Sequence, residues 1–280
     1  MTMIREALAD TIGLLKRRPL LWLSGLIIAA VTAGDILITG SDSLAGTGSF
    51  QILALLVYPF IIAAGYGIIR EDSNDPSVYL RYGLSYYFRV LLPLLVIIFA
   101  SIITIMLVIG TTMLIGIPAT ADFTMMIAMW VMIPIFLFTY FYDTFVVFRD
   151  EKIFDSLRAS ITLVMVHGWK VLLFIAANII ILLGILFGLA FLWMGLLWEK
   201  MTEVAEMDPD LISEMTGDEV MALLGPDALM ATAVVLFIWA LIATPFTLAF
   251  KAAFFRRLEK IPVVQQEIGE YDEKGRWYKY

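Results

Sequence analysis

Six apolar stretches, each long enough to cross a bilayer, dominate the chain, and almost all cations lie in alternate gaps between them. A span needs about 20 mostly apolar residues at 1.5 Å rise to cover a hydrocarbon core of about 30 Å. The stretches cover residues 20–38, 50–69, 90–117, 123–148, 171–197 and 230–255. Arg5, Lys16, Arg17 and Arg18 precede the first; Arg70, Arg81 and Arg89 separate the second and third. Arg149, Lys152, Arg158 and Lys170 separate the fourth and fifth, and all later cations except Lys200 lie at the C-terminal end, from Lys251 on. Only Lys200 falls in an odd-numbered gap. Lysine and arginine collect on the cytoplasmic side of membrane proteins. The pattern therefore predicts an all-α, multi-pass protein of the cytoplasmic membrane, with six crossings and both termini cytoplasmic.

Composition excludes the soluble alternative. The chain is 61% hydrophobic and 16% charged, with mean hydropathy +0.90, more apolar surface than one or two soluble domains of this length could bury. The net charge of −7 stems from the predicted outer loop, 199–229, where nine carboxylates face Lys200. The basic inner face suits anionic lipid headgroups. Without cysteine there are no disulfides or thiolate ligands, and a single histidine removes most zinc and Ser–His chemistry. No cofactor or metal is expected. "AAVTAG" has the small residues of a signal cleavage site, but the preceding region is helical and carries Glu6 and Asp10. The first stretch is read as a retained span.

A threefold pattern underlies the alternation. "IREALADTIGLLKRRP", "PSVYLRYGLSYYFRV" and "KIFDSLRASITLVMVHGWK" lead into the odd-numbered spans, with apolar residues at three- and four-residue steps. Such segments lie as amphipathic helices in the headgroup plane. The even-numbered spans end "YPFIIAAGYGIIRED", "IPIFLFTYFYDTFVVFRDE" and "TPFTLAFKAAFFRRLE", each with a proline, aromatics and a terminal arginine. Three copies of one unit are inferred, an interfacial helix followed by two spans. Residues 1–262 form the membrane domain, and the tail, 263–280, is read as a hairpin turning at Glu273, Lys274 and Gly275.

"FRDEKIFDSLRASITLVMVHGWKVLLF" and "PFIIAAGYGIIRED" resemble six-span archaeal and bacterial families of unassigned function, themselves similar to the membrane domain of glycerophosphoryl diester phosphodiesterase. The resemblance covers most of the chain through loose motifs. It implies a fold and no activity, because the chain has no counterpart of that enzyme's catalytic domain.

Ionisable groups inside spans are the default functional candidates. Asp143 and Lys251 fall at similar depth, six residues before Arg149 and five before Arg256. Two readings stand side by side: a salt bridge that fixes packing or lines a polar cavity, or each group snorkelling to the headgroups. Asn178, in mid-span five, is expected to bond to a neighbouring helix. Pro59, Pro134 and Pro245 are expected to bend their helices. Gly65 and Gly67, and Gly184 and Gly188, permit close helix approach. His167 beside Trp169 reads as an interfacial aromatic-belt position. Asp208, Asp210 and Glu214 read as solvated acids lacking calcium-loop spacing, and short surface helices start near Asp208 and Thr216. The phosphate-loop, dinucleotide, G-x-S-x-G and H-E-x-x-H motifs are absent. Nucleic-acid binding has no support. The leading expectation is a non-enzymatic scaffold organising lipid or protein partners; the alternative is a pathway for a small or amphiphilic solute.

Overall fold

The computed structural model describes residues 2–39, 49–116, 118, 120–205, 215, 216, 219, 223–261, 269–271 and 277–279. Its elements are α1 (Thr2–Arg17), α2 (Leu21–Thr39), α3 (Ser49–Glu71), α4 (Pro76–Leu114), α5 (Ala121–Thr139), α6 (Tyr142–Arg149), α7 (Ile153–Leu196), α8 (Trp198–Ala205) and α9 (Pro226–Leu258). A short antiparallel pair, β1 (Gly269–Tyr271) and β2 (Trp277–Lys279), closes the tail. The residues between these two strands lie outside the described set, as do Asp208, Asp210 and Glu214. Six segments are long and apolar enough to cross a membrane: α2, α3, α4, α5 with α6, α7 and α9.

The spans play different parts. In α3 and α9 about half of the apolar window is buried (56% and 50%), whereas α4 and α5 bury 11% and 6%. α3 and α9 are thus the centre, and α4 and α5 turn Phe99, Met106, Leu107, Met125 and Trp130 outward. A water-soluble protein would not tolerate such a surface; hydrocarbon covers it at no cost. Side by side, α3 packs along α4, α5 and α6 along α7, and α9 along α2.

Glycines set the closest of these approaches. A Cβ on Gly25 would lie 2.2 Å from Leu241 O and 2.9 Å from Pro245 Cδ. Pro245 has no N–H to offer the carbonyl four residues earlier, and that carbonyl, Leu241 O, is the one Gly25 meets. Between α3 and α4 the contact is reciprocal, since a Cβ on Gly67 would strike Tyr82 Cβ at 2.3 Å and one on Gly83 would strike Phe60 at 2.4 Å. Gly184 and Gly188 do not behave as expected, having nothing within 4 Å.

Three other expectations are corrected. The segment before the third span is no separate interfacial helix. It forms the first turns of α4, whose 39 residues run about 58 Å, and helix continues from it into the span even through Pro93. The fourth span is not one helix either, for it breaks between α5 and α6 at Tyr140 and Phe141. The Ser160 hydroxyl of α7 stabilises the break, donating to Phe138 O (2.8 Å) and accepting from the Phe141 N–H (3.1 Å). Finally, His167 is no belt residue. It is buried, at non-helical φ −120° and ψ 24°, where α7 kinks between its amphipathic start and its span. Trp169, by contrast, is exposed. Helix continues through Pro59, Pro134 and Pro245.

Candidate functional site

Asp143 and Lys251 meet. Asp143 lies in the first turn of α6, just past the break, and Lys251 on the buried face of α9. Lys251 Nζ stands 2.7 Å from Oδ1 and 2.8 Å from Oδ2 of Asp143, with the side chains only 10% and 5% exposed. The Thr144 N–H also donates to Asp143 Oδ1 at 2.7 Å. Lys251 Nζ lies 4.4 Å from the Tyr140 ring centroid, a cation–π contact. Two charges out of water need this degree of compensation, since each alone carries a desolvation penalty of several kcal/mol. The snorkelling reading therefore gives way to the pair.

Aromatic packing seals the surroundings. Phe174 of α7 stacks on Phe254 of α9 at 4.1 Å between centroids and meets Phe250 at 4.7 Å, and Phe141 from the break stacks on Phe254 at 6.2 Å. All four are fully buried. Two cavities of about 530 and 520 Å³ lie elsewhere, between α7, α8 and the start of α9, and between α1 and the end of α9. Neither is lined by Asp143, Lys251 or Asn178. Asn178 is buried, but among the described residues its Oδ1 has no partner and no hydrogen bond joins it to the pair. Among the described residues no group of carboxylates and histidine is placed to hold a metal.

The three terminal arginines form a closed circuit at the same end. Arg70 of α3 donates to Val147 O (2.6 Å) and Asp150 Oδ2 (2.8 Å) beside α6. Arg149 of α6 donates to Glu259 Oε1 (2.7 Å) at the end of α9, and Arg256 of α9 donates to Ile69 O (2.8 Å) of α3. Asp72 and Asp150, which follow α3 and α6, share the left-handed conformation at φ 50° and 57°. Each carboxyl is held below its ordinary range by the arginine that donates to it, Arg18 for Asp72 and Arg70 for Asp150. Sequence reading noticed the arginines but not their acceptors, which lie 77 or more residues away.

Sequence reading also passed over Asp35. This partly buried acid lies on α2 inside the first span, and its buried Oδ1 has no hydrogen-bond partner among the described residues. A buried carboxylate oxygen costs free energy unless a partner offsets it, and no described residue donates to this one. Asp35→Leu is accordingly expected to raise the thermal unfolding midpoint of the purified chain; a fall would mean that the acid has a stabilising partner.

Taken together, the fold and this packed end define a polytopic helical membrane protein. The chain belongs to the family described as a domain of unknown function, DUF7847, which matches residues 3–258. No curated protein and no solved structure matches the chain. Nothing in these comparisons links it to the membrane domain of glycerophosphoryl diester phosphodiesterase.

Proposed function

We propose that the protein is a non-catalytic membrane scaffold whose packed basic end lies at the cytoplasmic face and organises lipid or protein partners there. The observation that carries this reading is the state of the Asp143–Lys251 pair. A site that passes solutes keeps charge open to a water-filled path. Here both carboxylate oxygens and the ammonium are spent on each other, buried, with the Tyr140 and Phe141 rings beside the ammonium. The pair serves as a lock between α6 and α9.

The reading includes a pseudo-threefold unit with cytoplasmic termini. Its support is the order of packing, in which the second span of each unit lies on the first span of the next, α3 on α4, α5 with α6 on α7, and α9 on α2. The arginine circuit follows the same order. The likeness to the phosphodiesterase membrane domain is kept for architecture alone.

Reconstituted vesicles test the function. Vesicles carrying the protein are expected to hold proton and potassium gradients as long as empty vesicles do. A leak that scales with protein content would overturn the scaffold in favour of a permeation pathway. On the side of that second reading stand the unpartnered oxygens of Asn178 and Asp35.

A further inference from the structure

We infer that the cavity between α1 and the end of α9 is a binding site for a phosphate group, supplied by an anionic phospholipid headgroup. The cavity measures about 520 Å³, ample for a phosphodiester and its glycerol. Its charge is unevenly used. Arg257 is bound to both lining carboxylates, Glu6 and Asp10, with Nη2 at 2.5 Å from Asp10 Oδ2. Arg17, Arg256 and Lys260 lie on the same cavity, so its four cations exceed its two carboxylates by two charges, and none of these three is in an ion pair with a described carboxylate.

The three cations keep donors to spare. Arg17 uses Nε on Gly13 O, leaving both terminal nitrogens. Arg256 uses Nη2 on Ile69 O, and Lys260 makes no hydrogen bond with a described residue. Two arginines and a lysine around one concavity match the oxygen geometry and charge of a phosphate. Met3 and Leu14 supply an apolar wall to the same cavity. A free anion would gain nothing from that wall, whereas a lipid would lay its glycerol and upper acyl carbons on it. α1 itself is amphipathic, burying Ala7, Thr11 and Leu14 on one side while Arg5 and Lys16 stay outside, as an interfacial helix beside a headgroup would. The inference rests on the proposed placement of this end at an anionic leaflet. It is independent of whether the protein passes solutes.

The full chain in neutral detergent can be titrated with dioctanoyl phosphatidylglycerol, dioctanoyl phosphatidylcholine and inorganic phosphate, with binding read by thermophoresis. Saturable binding of phosphatidylglycerol, and weaker binding of phosphatidylcholine, is expected. Arg17→Gln with Lys260→Gln should weaken it at least about tenfold, the scale of a lost charge-assisted hydrogen bond. Arg158→Gln with Lys170→Gln, outside the cavity, should leave it unchanged. Inorganic phosphate competing at similar concentration would identify the source as free phosphate and keep the site. Equal affinity for the two lipids, no saturable binding, or a cavity double variant that binds like the parent would overturn it. Arg17 and Lys260 are exposed, so the unliganded unfolding midpoint should not move, and each single variant repeats the test if the double variant does not fold. Vesicle leak would sink the scaffold while leaving this binding intact, and loss of selective binding would sink only this site.

Discussion

Lys251→Met is expected to lower stability by about 3–5 kcal/mol, the cost of leaving a buried charge without its partner. Asp143, 4% exposed, would then keep only the Thr144 N–H as a donor among the described residues. Asp143→Asn should cost a similar amount, because the ammonium would keep only the Tyr140 ring and a neutral amide. The double variant is the discriminating measurement. If the two side chains matter through each other, Asp143→Asn with Lys251→Met recovers much of the loss, since replacing both charges with groups of similar volume removes desolvation and attraction together. Additive losses would mean that each group has its own role, and the lock between α6 and α9 would not be the reason for them. Thermal unfolding in detergent, followed by near-ultraviolet circular dichroism, suffices as the readout.

Gly25→Ala is the second large effect. Overpacking in a well-filled interior typically costs about 1–3 kcal/mol because flexible side chains absorb part of the strain. At Gly25 the obstacle is backbone, with the new methyl 2.2 Å from Leu241 O and 2.9 Å from the Pro245 ring. Neither can rotate away, so α2 and α9 must separate, and Leu21, Ser24 and Ala29, all fully buried, lose their contacts. The expected loss is at or above the ~3 kcal/mol end of that range, visible as failure to purify as a single species. Gly184→Ala, with open space around it, should be silent in the same assay. A silent Gly25→Ala would contradict the α2–α9 packing.

What the sequence made legible follows from range. Span number and the alternation of charge are local properties of windows about 20 residues long, and the structure has helices at all six. Depth along a span is local too, which is why counting back from Arg149 and Arg256 brought Asp143 and Lys251 level. The partner of each arginine at the basic end is not local. Val147 O and Ile69 O become acceptors only once α3, α6 and α9 are side by side. The break at Tyr140 and Phe141 was hidden for the same reason, since the hydroxyl that sustains it belongs to Ser160 on another helix. Gly25 has Ala29 four residues on, a small-x-x-x-small pair like many others, but what it meets depends on Pro245 some 220 residues later. Gly184 and Gly188 had that spacing and face nothing; a small-residue motif states what a helix could accept, not what it meets. In α4 the amphipathic start merged with the span because local pattern gives a face but not a direction relative to the membrane.

Site-directed labelling tests the central claim, six crossings with the cations gathered on one side. The chain has no cysteine, so Arg81→Cys, Arg158→Cys and Lys200→Cys each introduce a single thiol. With a membrane-impermeant maleimide applied to intact cells, position 200 is expected to react, and positions 81 and 158 only after the membrane is opened. Labelling of 81 or 158 from outside, or protection of 200 in intact cells with reaction only after opening, would contradict the account.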